Sequence, residues 1–155
     1  AQQVTQRVAQ YWQPYHDAIA SELARIKALH GYAVLFDGHS IKSQVPWLFE
    51  GTLPDLNIGT ASGASCAGNL RDAVASLLDG QSAFTHVMDG RFKGGYITRR
   101  YGRPAQGIHA VQLEMCWSTY MQESPPYALA PQRQARIHPL LVDLTALLAT
   151  VVPHG

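Results

Sequence analysis

Residues 32–40, with the sequence YAVLFDGHS, join a short apolar run to a polar end. A continuous apolar run of this length is typical of a strand that is buried on both faces of a sheet. Ligands of open α/β sheets bind beyond the carboxyl ends of the strands, so the polar residues that follow are well placed for function. The stretch therefore predicts a buried strand over 32–36, followed by polar residues that include Asp37 and His39.

The flanking segments predict helices and strands in alternation. The predicted helices have apolar residues at steps of three and four, and they span residues 5–30, 69–78 and 136–151. Two further strands are predicted from composition, over residues 83–88 and 108–116. Pro14 should kink the first helix or mark the start of its second part, and residues 41–65 form a long irregular segment. This order predicts an α/β layered fold with a mixed or mostly parallel sheet.

Composition excludes several classes of protein. The chain has 155 residues, 46% hydrophobic and 15% charged, with a net charge of +1, which is typical of one globular domain. The near-neutral charge gives no electrostatic argument for nucleic acid or for an anionic membrane surface. Two cysteines are too few for a disulfide scaffold, and no apolar run reaches the roughly 20 residues of a membrane span. With no signal-peptide pattern at the amino end, we expect a cytoplasmic protein.

His39 and Glu114 are the first candidates for chemistry. An imidazole two residues after Asp37 suits a zinc ligand with its hydrogen-bonding partner, and a histidine that bonds a loop fits the spacing equally well. Glu114 lies in the middle of an otherwise apolar strand, where burial would raise its pKa and favour a general base. A solvated strand face is the alternative for Glu114.

Two other features offer binding or catalytic groups. Five of the 12 Lys and Arg residues fall in one short span: Arg91, Lys93, Arg99, Arg100 and Arg103. The arginine fork matches the two oxygens of a carboxylate, although charged turns of this kind are also common solvated loops. Cys66, near a predicted helix start, would be the nucleophile of a cysteine amidase, but no histidine spacing selects its base.

Four segments together resemble the N-formylglutamate amidohydrolase (N-formylglutamate deformylase) family, in the carboxyl-terminal part of the family's chain. They are YWQPYHDAI at 11–19, DGHSIKSQVPWLFEGTLPDLNIGTASGASC at 37–66, GRFKGGYITRRYG at 90–102 and HAVQLEMCWSTYM at 109–121. They occur in the family's order and span most of the chain. A combined match of this length is far more specific than any single motif.

The resemblance implies a zinc-dependent hydrolase that releases formate from N-formyl-L-glutamate, a small-molecule substrate, in histidine degradation. By the family pattern, His39 would be a ligand of one zinc ion, and Glu114 would be the general base that activates the metal-bound water. The family pattern also implies a set of substrate-binding residues: Arg99, with Arg91, Lys93 and Arg100, for the carboxylates, and Asn57 with the Gly59-Thr60 turn for the shape of the pocket.

The implied fold is a three-layer α/β domain related to the zinc exopeptidases (phosphorylase/hydrolase-like). Family members carry further residues before the matching region, and by analogy these supply the remaining zinc ligands. We therefore expect residues 1–155 to form a single domain that is incomplete at its amino end and that associates with the missing segment or with itself. The alternatives are an inactive fragment or binding module of this fold, or an amidohydrolase of another N-acyl amino acid.

Overall fold

A computed structural model of the chain describes residues 2–154. One mixed sheet has the strand order β1–β4–β2–β3. Its strands are β1 (Ala33–Ile41), β2 (Leu56–Gly59), β3 (His86–Met88) and β4 (Ile108–Cys116). β1 runs parallel to β4 and β2 parallel to β3, whereas β2 and β4 are antiparallel. The predicted mixed, mostly parallel sheet is confirmed.

Helices cover both faces of the sheet and complete the predicted three layers. They are α1 (Gln2–Arg7), α2 (Gln13–His30), α3 (Gly68–Asp79), α4 (Tyr96–Tyr101) and α5 (Pro131–Thr150). α3 and α5 pack on one face, in a core that includes Val74, Leu144 and Val111. α2 and α4 pack on the other face around Leu23, Ala33 and Tyr101. Within residues 2–154, no helix is both long and apolar enough to cross a membrane.

The first predicted helix is present, but it is interrupted before Pro14. Residues Val8–Trp12 form a π-helical turn, and the Gln13 N–H donates to the Val8 carbonyl, five residues back. Proline has no N–H to donate and its ring crowds the preceding turn, so a widened turn at this point accommodates it. The expected apolar stripe is only partly buried: Leu23 is 5% exposed, whereas Tyr11 is 71% exposed.

The first strand is longer and less buried than predicted. β1 continues through the polar residues to Ile41, and it lies at the edge of the sheet with β4 as its one neighbour among the described strands. Phe36 is 36% exposed, so the prediction of burial on both faces was wrong. An edge strand lacks the neighbour that would cover it. The consequence for function is that Asp37 and His39 lie within the strand, each opposite a residue of β4.

The segment predicted to be irregular, 41–65, contains the central strand β2. Its four residues are all buried. A strand of four residues, which follows Pro54 and ends at Gly59, is too short to show an alternating pattern, which explains the omission. β4 has the predicted bounds, β3 is shorter than predicted, and α5 begins earlier than predicted, at Pro131.

A buried histidine links the sheet to α3 and makes stability depend on pH. His109 on β4 is 3% exposed, and its Nδ1 accepts a hydrogen bond from the Ala67 N–H at 3.1 Å. Burial lowers the pKa of His109 below its usual 6.5. As the pH falls below about 6.5, the unfolded chain binds the proton and the folded chain resists it, so stability is lost.

We expect the free energy of unfolding to fall between pH 7 and pH 5, with His109 contributing at most about 1.4 kcal/mol per pH unit. Urea unfolding at a series of pH values measures this slope. His109→Asn is the matched control, because the Asn oxygen can accept the same N–H without titrating. An unchanged slope in the variant would contradict the assignment.

Candidate functional site

A cavity of about 620 Å³ opens on the α4 side of the sheet, over the carboxyl-terminal halves of β1 and β4. The parallel register places His39 opposite Glu114 and Asp37 opposite Gln112. Alternate residues of a strand point to the same face, so these four side chains project together. All four line the cavity.

His39 and Asp37 form a close pair at the edge of this cavity. His39 Nε2 lies 2.9 Å from Asp37 Oδ1, and the imidazole is about half exposed. Asp37 Oδ2 is buried and has no hydrogen-bond partner in the described part of the chain. An imidazole beside a carboxylate is the usual combination of a metal ligand and its orienting partner.

These residues fit only part of a zinc site. Protein zinc sites use three or four protein ligands. Within residues 2–154, no group of three or more His, Cys, Asp or Glu side chains could hold a metal ion. His39 with Asp37 therefore suits one ligand and its partner, and the described residues do not complete the set.

Glu114 lies partly buried on the neighbouring strand, facing the same cavity. Its burial raises the pKa of the carboxyl group above the usual value; the His39 imidazole lowers that pKa and Asp37 raises it further. A carboxylate with a raised pKa is a stronger proton acceptor when ionised. The geometry is thus suited to a general base.

Three of the predicted carboxylate-binding cations lie on one wall of the cavity: Arg91, Lys93 and Arg99. Arg99 Nη1 donates to the Gly94 carbonyl at 2.5 Å, and Arg91 Nη2 donates to the Leu48 carbonyl at 2.6 Å. These bonds hold the two guanidinium groups, whose remaining N–H groups can bind further oxygens. The structure brings these three cations together at the cavity, and their binding of carboxylates stays a prediction.

Arg100 does not join that wall. Its guanidinium lies over the rings of Trp12, Tyr96 and Tyr101, at 5.6–5.7 Å from the centroids. Neighbouring residues on a short helix point in different directions, so Arg99 faces the cavity while Arg100 packs against Trp12 of the π-helical turn. The structure favours a packing role for Arg100 through cation–π contacts.

Asn57 also lies outside the cavity lining. It is fully buried on β2, where its Nδ2 donates to the carbonyls of Pro54 at 2.8 Å and Glu114 at 3.2 Å. Both hydrogen bonds hold backbone rather than ligand. The contact places Asn57 beneath the candidate base, where it supports the backbone of β4.

The turn after Gly59 holds the cationic segment against the sheet. Asp89 accepts hydrogen bonds from the Thr60 N–H at 2.7 Å, from the Thr60 hydroxyl at 2.5 Å and from the Ser62 N–H at 3.1 Å. The Ala61 N–H in turn donates to the Lys93 carbonyl at 2.6 Å. This turn therefore sets the position of the wall.

Cys66 is placed as a core residue rather than a nucleophile. Its side chain is 3% exposed and packs in the core beneath α3 and α5. Burial, with a smaller effect of Asp89, raises the pKa of the thiol to about 11. Thiolate is the reactive form, so it is scarce at neutral pH.

We expect Cys66→Ala to leave catalytic activity and ligand binding unchanged while lowering the free energy of unfolding by about 1–2 kcal/mol. The native thiol should also react with a thiol reagent only on unfolding. Activity lost in the folded Ala variant would restore the cysteine mechanism.

The fold and the cavity define the class of protein. It is an α/β protein that has a candidate base, an imidazole and a cationic wall for an anionic ligand on one face of its sheet. A profile of the N-formylglutamate amidohydrolase family matches residues 1–121. The chain belongs to that family, as the sequence motifs predicted.

Individual relatives agree with this assignment. The chain is 51% identical over 143 residues to N-formylglutamate deformylase of Pseudomonas aeruginosa, and 46% identical over 146 residues to that of Pseudomonas putida. These matches cover 90% and 94% of the chain but 54% of each relative, so the chain spans about half their length. The crystal structure of N-formylglutamate amidohydrolase from Ralstonia eutropha superposes with a TM-score of 0.74 at 25% identity, covering 94% of this chain and 51% of that one.

Proposed function

We propose that this chain provides the base and the carboxylate-binding wall of a cytoplasmic hydrolase that converts N-formyl-L-glutamate and water to formate and L-glutamate, in histidine degradation. The observation that carries the proposal is that Glu114 shares one cavity with Lys93 and Arg99. A proton acceptor for water and a pair of cations for carboxylates are what hydrolysis of this anionic amide requires.

The residues of the chain account for binding and proton transfer. Arg99 and Lys93 would hold the two substrate carboxylates and so orient the amide over β4. The Glu114 carboxylate would accept a proton from the attacking water and return it to the departing nitrogen as the C–N bond breaks. Water's oxygen ends in formate, and the amine leaves as L-glutamate.

A zinc ion is the cofactor we propose for the complete enzyme. His39 would be one ligand, with Asp37 Oδ1 lying 2.9 Å from its Nε2. The remaining ligands would come from polypeptide beyond the described residues, as a further segment or a second copy of the chain. A bound zinc supplies Lewis acidity for an amide carbonyl.

The deciding experiment measures three quantities on the purified chain: bound metal, affinity for N-formyl-L-glutamate, and formate release with and without added zinc. Binding together with formate release supports the proposal. About one zinc per chain with turnover would mean that a second copy supplies the missing ligands, and mass measurement in solution would then show an oligomer.

Other outcomes separate the alternatives. Binding of N-formyl-L-glutamate without formate release under any condition would favour a binding module of the same fold. Faster release of acetate from N-acetyl-L-glutamate would favour an amidohydrolase of another N-acyl amino acid. If the chain neither bound N-formyl-L-glutamate nor released formate, the proposed function would be overturned for this polypeptide.

A further inference from the structure

Gln112 occupies the floor of the cavity, and the roles proposed above leave it unused. It lies on the same face of β4 as Glu114 and two residues before it, so the two Cα atoms are about 7 Å apart. The residue is 5% exposed. It therefore stands between the candidate base and the segment that carries Lys93 and Arg99.

The hydrogen bonds of the side-chain oxygen determine how the carboxamide is oriented. Oε1 accepts the Gly95 N–H at 2.6 Å, and the hydroxyl of Thr98 approaches it at 3.5 Å. Exchanging the oxygen and nitrogen would place the Nε2 donors against the Gly95 donor, which is unfavourable. The oxygen therefore faces α4, and Nε2 occupies the other position.

The Nε2 group is left without a protein partner. Within residues 2–154 Nε2 makes no hydrogen bond. The buried polar side-chain atoms that lack a partner in this part of the chain are Asp37 Oδ2, Asn57 Oδ1 and Arg71 Nε. Since Nε2 is unpaired but is not one of these buried atoms, it is not enclosed by the protein. An unpaired nitrogen that is not enclosed, on a side chain that lines the cavity, opens into that cavity. Gln112 thus presents an uncharged donor to any ligand bound there.

The other residues that line the cavity indicate which acceptor Nε2 suits. Lys93 and Arg99 match carboxylates, while Asp37 and Glu114 repel them. An N-acyl amino acid carries one further strong acceptor, the carbonyl oxygen of its amide, and a neutral donor suits this neutral oxygen. Resting on the proposed function, we propose that Gln112 is a specificity-determining residue whose Nε2 donates to the acyl carbonyl oxygen of the substrate. The product amine lacks this oxygen, so Gln112 distinguishes substrate from product.

The test compares two ligands in a Glu114→Gln background, which slows turnover so that little substrate is consumed during titration calorimetry. N-formyl-L-glutamate carries the acyl carbonyl, and glutarate carries only the carboxylates. Gln112→Met keeps the length of the side chain but removes its donor. We expect the affinity for N-formyl-L-glutamate to fall roughly three- to tenfold, the range of one neutral hydrogen bond, and the affinity for glutarate to stay the same.

Glutarate also controls for an indirect effect. Gln112→Met frees the Gly95 N–H, and a loosened cationic segment would weaken both ligands equally. An equal loss, or no loss for either ligand, would overturn the inference while leaving the proposed function intact. If the protein that retains Gln112 bound neither N-formyl-L-glutamate nor glutarate, both the inference and the proposed function would be overturned.

A second measurement decides the question if the Met variant does not fold. The side-chain amide resonances of Gln112 can be followed by NMR in the protein with Gln112 intact. A shift on adding N-formyl-L-glutamate that glutarate does not produce supports the contact. Equal shifts with both ligands, or none, would refute it.

Discussion

Replacing Glu114 with glutamine is expected to lower the rate of formate release from N-formyl-L-glutamate by about 10²- to 10⁴-fold, the usual contribution of a general base. Glutamine has nearly the same shape but cannot accept a proton at neutral pH. The side chain faces the cavity beside His39, and its main-chain carbonyl is held by Asn57, so the substitution leaves the backbone contacts in place. Steady-state kinetics with detection of formate measures the change.

A matched substitution shows whether the loss of rate comes from Glu114 itself or from the removal of any one carboxylate. Glu22→Gln removes a carboxylate on the exposed face of α2, where it pairs with Arg25 at 2.6 Å. An exposed pair of this kind contributes little to stability, so this variant should hydrolyse at the parental rate. Equal rates for Glu114→Gln and the parent would exclude Glu114 as the base.

Gly59→Ala is expected to produce the largest loss of stability among single substitutions near the site. A Cβ at this position would meet the backbone nitrogen of Gly94 and lie 2.7 Å from the carbonyl carbon of Lys93. Neither backbone atom can move aside as a flexible side chain can, so the segment must shift as a whole. We expect the free energy of unfolding to fall by about 2–4 kcal/mol and the affinity for glutarate to fall with it.

Gly68→Ala is the matched control for this substitution. Gly68 begins α3, and a Cβ there would meet nothing within 4 Å. Replacement at such a helical position reduces the freedom of the unfolded chain, so stability should rise by about 0.5–1 kcal/mol. Chemical denaturation of both variants measures the difference, and a Gly59→Ala protein as stable as the parent would show that the wall does not depend on this close approach.

The distribution of the cations shows where a sequence motif stops being informative. The stretch RFKGGYITRR places Arg91, Lys93, Arg99 and Arg100 close together along the chain, and all four were predicted to bind carboxylates. In the structure Arg100 lies among three aromatic rings, away from the cavity. Only the folding of residues Tyr96–Tyr101 into a helix separates it from Arg99.

Local patterns were sufficient for much of the fold. The alternation in Ile108–Cys116 predicted β4 with its bounds, because side chains of a strand alternate between a core and a cavity. The helical spacing of apolar residues likewise predicted α3, and the quoted motifs identified the family. These features depend on residues that are close together in the chain, so they can be predicted from a single sequence.

The remaining features arise from contacts between distant segments. β2 is buried because β3 and β4 lie on either side of it, and nothing in its four residues signals that position. The register of β1 on β4 brings His39 opposite Glu114, although the two residues are 75 positions apart in the sequence. Gln112 points its oxygen at Gly95 only because α4 packs over β4. The sequence thus determined most of the helices and strands and the family, whereas the tertiary structure decided where β2 lies and which side chains meet in the cavity. The reason is that burial and hydrogen bonding depend on partners that local patterns do not specify.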